Sequence, residues 1–164
     1  MASPVQNNQS SQLLVGIDVG STTAKIAVMD ATSHEMLMRR YVRHHAQQAN
    51  CLKSLLAELD QRFEGIPMRA ALCGSGGAAL AEALDLPYVQ EVVANSLAVG
   101  ANYPTARTAI ELGGQDAKMI FFKFDNEANC LSVADMRMNG SCAGGTGAFI
   151  DEIATLLKVP TEQF

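Results

Sequence analysis

The chain has 164 residues and a net charge of −5, and its composition is 48% hydrophobic and 18% charged. These values predict a globular protein with one domain, or with one domain and part of another, and the negative charge argues against a surface for nucleic acid or anionic membranes. No apolar run reaches the roughly 18 residues of a membrane span, and four scattered cysteines without a CxxC pair favour a reducing cytoplasm over a disulfide framework.

The order of predicted elements is that of an α/β protein. Residues 1–12 are polar, lack the basic start and apolar core of a signal peptide, and predict a disordered tail. Apolar runs and helical periodicity then predict, in chain order, strands at Leu13–Asp18, Ala24–Asp30 and Met36–Arg43, a helix at Gln48–Phe63, a strand at Met68–Cys73, a short helix at Ala78–Leu84, a short strand at Tyr88–Val92 and a helix at Ala94–Asn102. The early hairpins make part of the sheet antiparallel, and the helical crossovers make the rest parallel.

An internal repeat is the most informative feature of the sequence. The segment Ile17–Ile26 (IDVGSTTAKI) aligns without a gap on Ile110–Met119 (IELGGQDAKM). Both copies consist of an apolar strand, an acid, a glycine turn, Ala-Lys and a second apolar strand. After the second copy, two strands and a helix are predicted at Ala117–Phe124, at Cys130–Met138 and from Gly147 onward. We therefore expect a first unit at 13–105 and the first half of a second unit at 106–164.

The first turn of the repeat has the chemistry of a phosphate site. Its backbone N–H groups and small hydroxyl side chains are suitable phosphate donors. Asp18, at the end of the preceding strand, can position Mg²⁺ directly or through water. The alternative is an ordinary hairpin turn whose glycine only permits a positive φ. The candidate phosphate-binding residues of this turn are Gly20, Ser21, Thr22 and Thr23.

The second turn keeps this frame but changes the side chains. Glu111 stands in place of Asp18, and Gln115 and Asp116 replace the hydroxyls. An amide or carboxylate at this position can orient an attacking water, and the alternative is that it only caps the turn. Two facing hairpins, each with an acid and a glycine turn, would clamp a polyphosphate and its metal. The candidate phosphate-binding residues of the second turn are Gly113 and Gly114.

Other polar residues near the repeat have open roles. Lys25 and Lys118 either neutralise phosphate charge or point outward as solvated strand residues. Glu91 and Asn95 either face the clamp or cap a helix. The three histidines lie on or next to the outer hairpin and are interpreted as solvated surface residues: His34, His44 and His45.

The stretch Met138–Asp151 (MNGSCAGGTGAFID) places a cysteine in a glycine-rich loop that runs into a helix. The free N–H groups and the dipole at the start of such a helix suit an anion and favour a thiolate at Cys142. As a nucleophile this thiolate lacks a base nearby in sequence, and as a metal ligand it lacks a second cysteine at ligand spacing. A lone ligand is reasonable in a site shared across a symmetric dimer. The loop residues expected near the nucleotide or metal are Gly144, Gly145 and Thr146.

Three motifs together resemble a known family. The motifs at Gly16–Val28, Ala109–Lys118 and Asn139–Ala154 resemble the ATP-driven activators of 2-hydroxyacyl-CoA dehydratases and the related ATPase subunits of benzoyl-CoA reductases. The resemblance implies an actin-like ATPase fold of two ribonuclease-H-like units with ATP and Mg²⁺ between them. It also implies a homodimer with one [4Fe-4S] cluster on the two-fold axis. Cys142 would be one ligand, and a second cysteine would follow beyond Phe164.

The resemblance also implies roles for the partners and the site residues. Ferredoxin or flavodoxin would donate an electron, and ATP would drive its transfer to a dehydratase partner. Asp18 and Glu111 would act on Mg²⁺ and its waters, Gln115 and Asp116 would orient water, and the glycine turns would hold phosphates. Glu111 departs from the Asp of many members, and the CGSGG turn after the fourth predicted strand lacks a frequent aromatic residue.

The sequence is most similar to the first activator-like module of very long, multi-domain relatives. Because the 164 residues would lack the adenosine side of the site and the second cysteine, we expect them alone to hydrolyse ATP poorly and to hold no stable cluster. Two competing interpretations are a small-molecule kinase of the same fold, which needs no Cys142, and a non-catalytic interaction module.

Overall fold

The computed structural model describes residues 12–127, 130–139 and 144–163. The strands are β1 (Leu13–Val19), β2 (Thr23–Asp30), β3 (Met36–Arg43), β4 (Met68–Cys73), β5 (Thr108–Leu112), β6 (Ala117–Asp125) and β7 (Cys130–Met138). The α-helices are α1 (Gln48–Arg62), α2 (Gly77–Ala83), α3 (Glu91–Asn102) and α4 (Gly147–Leu157). The predicted α/β class is confirmed. Within the described ranges, no helix is both long enough and apolar enough to cross a membrane.

One predicted element is wrong. A strand was expected at Tyr88–Val92, but Tyr88 makes only a single parallel bridge with Leu72, and α3 already begins at Glu91. The polar pair at residues 90–91 ends the extended stretch, since Gln90 is the N-cap and Glu91 lies in the first turn of the helix, where an acid favours the positive end of the helix dipole. The helix therefore starts three residues before the predicted Ala94.

The first sheet has the strand order β3-β2-β1-β4. Strand β1 pairs antiparallel with β2 and parallel with β4, as the hairpins and the helical crossover predict. The register places Asp18, near the end of β1, opposite Lys25 on β2 and Cys73 on β4. The acid of the first repeat is therefore flanked on both sides by strands.

The core of the first unit lies between this sheet and α1. Alternate residues of β1 and β2 point to the helix and are almost fully buried, which is the period of a strand with one face in the core. The helix contributes its predicted leucine stripe, of which Leu52, Leu55 and Leu59 are each at most 4% exposed. Burial of each such side chain stabilises the fold by about 1.5–3 kcal/mol.

The second sheet has the order β5-β6-β7, and both of its pairings are antiparallel. Its core consists of Ile120, Phe122 and Leu131, against which Val92 and Val99 of α3 pack. Helix α3 thus lies within the predicted first unit, residues 13–105, but packs on the second sheet. The register sets Glu111 opposite Lys118, the same cross-strand pair as Asp18 and Lys25 in the first hairpin.

Candidate functional site

The first acid of the repeat, Asp18, has one engaged and one unpartnered oxygen. Its Oδ2 accepts a hydrogen bond from Lys25 Nζ at 2.5 Å. Its Oδ1 is buried and has no hydrogen-bond partner among the described residues. Against the effect of burial, Asp18 raises the pKa of Lys25, so this lysine is held as a cation. A buried carboxylate oxygen without a partner is costly, and it is an acceptor available to a cation or a water.

Gly74, just after β4, shapes the environment of Asp18. Its φ is +90°, and a Cβ at this position would lie 2.3 Å from Asp18 Oδ1 and 2.5 Å from the carbonyl oxygen of Val19. Only glycine combines this backbone conformation with such a close approach. Sequence reasoning identified the CGSGG turn as a turn but gave it no part in the site. The available signal was the density of glycine directly after a strand parallel to β1.

Cys73 is a poor candidate for thiolate chemistry. Burial, followed by the negative charge of Asp18, raises the pKa of its thiol to about 11. The residue therefore stays a neutral thiol near pH 7 and acts as a small apolar side chain on the strand.

The second hairpin is built around a buried lysine. The side chain of Lys118 is only 7% exposed, and its Nζ lies 3.1 Å from Glu91, 3.2 Å from Asp116 and 3.7 Å from Glu111. Asn95 donates a hydrogen bond of 3.1 Å to Glu111 Oε2. Glu91 and Asn95 therefore face the candidate clamp from α3. The interpretation of Lys118 as a solvated strand residue is wrong, because its side chain is buried.

Two carboxyl groups of this cluster have displaced pKa values. Burial, and then the hydrogen bond and charge of Glu91, raise the pKa of Glu111 to about 7. Although burial opposes it, hydrogen bonds with Glu111 and Lys118 lower the pKa of Glu91. The pair therefore holds one proton at slightly acid pH, and that proton lies mainly on Glu111.

The two glycine turns of the repeat meet each other. A Cβ on Gly114 would lie 2.3 Å from Thr22 Oγ1, so the second turn touches the side chain of the first. The turns also close in the same way: Gly20 N–H donates to the Thr23 carbonyl at 2.9 Å, and Gly113 N–H donates to the Asp116 carbonyl at 2.8 Å. The sequence repeat is thus a structural repeat, and its two copies face one another.

The second turn presents Gln115 and Asp116 differently. Gln115 is exposed. The Asp116 carboxylate accepts a hydrogen bond from Lys118 at 3.2 Å, while its backbone closes the turn. The structure therefore gives Asp116 a turn-closing part, and the water-orienting roles of both residues stay predictions.

Helix α4 begins directly on the second turn. Its N-cap, Thr146, is completely buried. The next two N–H groups donate to the carbonyls of Gly113 and Gly114 at 2.9 Å each. Gly144 and Gly145 are exposed, and Gly145 has a φ of +78°. These contacts place the start of the helix next to the second glycine turn.

The cysteine of the glycine-rich loop, Cys142, lies outside the described residues, so its role as a ligand stays a prediction.

Farther along, α4 is joined to the first unit by an ion pair. Arg43, the last residue of β3, donates to both carboxylate oxygens of Asp151, at 2.7 and 3.0 Å. Helix α4 therefore contacts the second turn of the repeat and the end of β3.

The interpretation of all three histidines as surface residues is wrong for His44. His34 and His45 are exposed, but His44 is 4% exposed and its ring contacts the first turn. The sequence around His44 did not indicate that this residue is buried, because β3 and the start of α1 approach the first turn only in the folded structure.

The donor set fits Mg²⁺ bound together with a nucleotide. The unpartnered Asp18 Oδ1 and the carboxylates of the second hairpin are hard oxygen donors, which Mg²⁺ prefers. In the part of the chain that the structure describes, no cluster of three or more His, Cys, Asp or Glu residues is arranged to hold a metal by protein ligands alone. Mg²⁺ commonly takes one or two carboxylates and completes its shell with phosphate oxygens and water.

Two facing hairpins with paired acids and glycine turns define the class of protein: an actin-like ATPase fold. The crystal structure of (R)-2-hydroxyglutaryl-CoA dehydratase component A from Acidaminococcus fermentans has a TM-score of 0.75 and 25% identity, over 92% of this chain and 56% of that chain. The activator of the 2-hydroxyisocaproyl-CoA dehydratase from Clostridium difficile, solved with bound ADPNP, has a TM-score of 0.68 and 24% identity, over 91% of this chain and 53% of that chain. This second likeness shows the fold.

The family follows from sequence comparison. A family model, the BadF/BadG/BcrA/BcrD ATPase family, matches residues 15–164, and the chain belongs to that family. The (R)-2-hydroxyglutaryl-CoA dehydratase activating ATPase of Acidaminococcus fermentans is 27% identical over 146 residues, which are 88% of this chain and 54% of the relative. The predicted resemblance to dehydratase activators is confirmed. Several curated relatives match most of this chain, and the chain spans about half the length of each of them.

Proposed function

We propose that the protein is an ATPase that activates a 2-hydroxyacyl-CoA dehydratase-like enzyme. The observation that carries this proposal is the contact between the two glycine turns, at Thr22 and Gly114, with an acid behind each turn. The names of its relatives and its membership of an ATPase family support the same activity. In this proposal, residues 13–105 are one ribonuclease-H-like unit, and residues 106–164 are the first half of a second.

The chain's own residues would bind MgATP from both sides. When bound, Mg²⁺ neutralises phosphate charge and orients phosphate oxygens. Asp18, through its unpartnered Oδ1, would hold the ion or one of its waters. The backbone N–H groups and hydroxyls of Ser21 and Thr22 would contact the phosphates from the first turn, and Gly113 and Gly114 would contact them from the second.

The carboxyl pair of Glu91 on α3 and Glu111 on β5 suits proton transfer. In ATP hydrolysis a water oxygen bonds to the γ-phosphorus, the bond from phosphorus to the bridging oxygen breaks, and the water loses a proton. Glu91 and Glu111, one of which has a pKa near 7, would orient this water and take its proton. Lys118 holds both carboxyl groups in place, and Gln115 and Asp116 would contact the water or its shell.

The electron-transfer part of the proposal rests on the loop before α4. Cys142 and a second cysteine from each subunit of a homodimer would hold one [4Fe-4S] cluster, which supplies one-electron chemistry when bound. The electron would come from ferredoxin or flavodoxin and pass to the dehydratase partner. Because α4 starts on Gly113 and Gly114, its position can respond to what the second turn binds.

Nucleotide binding tests the ATPase part. Titration calorimetry with Mg²⁺ and ADPNP is expected to show binding by the full-length protein, and Asp18→Asn should weaken it about tenfold or more, as expected when a charge-assisted contact is lost. Asp60→Asn, an exposed position on α1, is the control and should bind like the wild type. Equal affinity in wild type and Asp18→Asn would contradict the assignment of Asp18, and no ADPNP binding would favour an interaction module.

Iron content tests the cluster part. The full-length protein, expressed without oxygen, is expected to contain iron and to absorb visible light, and Cys142→Ala should lose both. Cys130→Ala, at an exposed strand position, is the control and should keep them. Iron in Cys142→Ala at the wild-type level would refute the role of Cys142. If both proteins lack iron but bind ADPNP, the kinase interpretation is favoured, and an assay for sugar-dependent ADP formation then tests it.

A further inference from the structure

A buried histidine contacts the first phosphate-binding turn from behind. His44 Nε2 lies 3.0 Å from the carbonyl oxygen of Gly20, and the backbone N–H of His44 donates to the carbonyl of Thr22 at 3.2 Å. One residue therefore engages two of the carbonyls of this turn. Its side chain is only 4% exposed, so water does not compete for these contacts.

The partners of the ring define its tautomer. A carbonyl oxygen can only accept a hydrogen bond, so Nε2 carries a proton and donates it to Gly20. The backbone N–H of Ala46 donates to Nδ1 at 3.2 Å, so Nδ1 carries a lone pair. The bound form of His44 is therefore the neutral Nε2–H imidazole.

The contact with Gly20 sets the direction of the next donor. In a planar trans peptide the C=O of one residue and the N–H of the next point in opposite directions. With the Gly20 carbonyl turned to His44, the N–H of Ser21 points away from His44. Within the described residues Ser21 N–H has no acceptor, which leaves it available to an anion.

We propose that His44 is a positioning residue that turns the Ser21 N–H toward the phosphates of the bound nucleotide. This inference rests on the proposed function of the turn as a phosphate site. His44 also fixes the end of β3 against the β1–β2 turn, because its side chain contacts the carbonyl of Gly20 and its backbone N–H donates to the carbonyl of Thr22. Arg43, the preceding residue, carries the ion pair to α4.

The test uses variants that differ in the donor. His44→Leu removes it, whereas His44→Gln has an amide Nε2 that can donate to Gly20. The control is His45→Asn, since His45 is exposed and has a φ of +47°, which Asn tolerates. In calorimetry with Mg²⁺ and ADPNP we expect His44→Leu to bind about tenfold more weakly, the loss of roughly one well-oriented hydrogen bond. His44→Gln and His45→Asn should stay within about threefold of the wild type.

Nitrogen-15 spectra of the wild-type imidazoles provide a test that needs no variant. The expected signature of His44 is a protonated Nε2 and an unprotonated Nδ1, and the opposite tautomer would overturn the proposal. Wild-type affinity in a folded His44→Leu would also overturn it, as would a loss in His44→Gln equal to that in His44→Leu. If the wild type does not bind ADPNP, the proposed function fails, and the positioning role is decided by the tautomer and by whether His44→Leu shifts the Ser21 amide resonance.

Discussion

Replacing Glu111 by Gln should remove a pH dependence of folding stability. Burial and the neighbouring Glu91 raise the pKa of Glu111 from its ordinary 4.5 to about 7. Between these values the folded chain holds a proton that the unfolded chain has released, so the free energy of unfolding falls as pH rises. In the Glu111→Gln variant a neutral amide takes the place of the protonated carboxyl group at every pH. The variant should therefore match the wild type near pH 5 and exceed it in stability near pH 8.

The size of the effect follows from the two pKa values. A difference of about 2.5 between them corresponds to an upper limit of about 3 kcal/mol. The side chain of Glu111 keeps 22% of its exposure, and solvent screening reduces this limit. We expect the variant to be more stable than the wild type at pH 8 by about 1–2 kcal/mol. Glu91 has a lowered pKa and changes its charge below this pH window, so it does not obscure the difference.

Urea unfolding of both chains from pH 5 to pH 8 measures this difference directly. Every other ionisable group is present in both chains, so its contribution cancels. Glu64→Gln, at an exposed position after α1, is the control and should follow the wild type throughout. The same pH dependence in wild type and Glu111→Gln would refute the reasoning, since the burial and pairing of Glu111 would then have no thermodynamic effect.

Two further predictions concern packing at the site. In urea unfolding, Gly74→Ala should destabilise the chain by about 1–3 kcal/mol more than Gly65→Ala does. Both glycines have a positive φ, but only at Gly74 would a Cβ clash with Asp18. Equal losses of stability in the two variants would mean that Asp18 moves freely. Arg43→Ala should cost less than about 1 kcal/mol of stability, since the ion pair with Asp151 is largely exposed. The same variant should speed amide hydrogen exchange at the start of α4. Unchanged exchange would show that the ion pair does not hold the helix.

The repeat is the part of the fold that the sequence predicts best. A strand, an acid, a glycine turn and a lysine form a local pattern, and in the structure both copies are hairpins with the acid opposite the lysine. Asp18 and Glu111 were recognised because each lies inside this pattern. The helices and strands with clear periodicity were predicted within a few residues for the same reason, since burial of one face imposes that periodicity.

Residues that reach the site from other elements were not predictable in this way. Gly74 follows β4, and it meets Asp18 only because β4 pairs parallel with β1. Glu91 lies on a helix of the predicted first unit that packs on the second sheet, and His44 reaches the first turn from the loop after β3. Each of these contacts depends on how elements distant in sequence come together. The sequence left the role of Glu91 open between the clamp and a helix cap, offered only the density of glycine for Gly74, and gave no signal for His44.

The two copies of the repeat share a backbone but differ in electrostatics, and this difference gives them different chemistry. In the first copy Lys25 pairs with one acid, its side chain is 41% exposed, and the turn offers hydroxyls and N–H groups. In the second copy Lys118 is 7% exposed among three carboxylates, one of which has a pKa of about 7. The first turn is therefore suited to holding a fixed anion, and the second is suited to exchanging a proton. In the proposed function an attacking water would use both turns, and the contact between Thr22 and Gly114 is where the two turns meet.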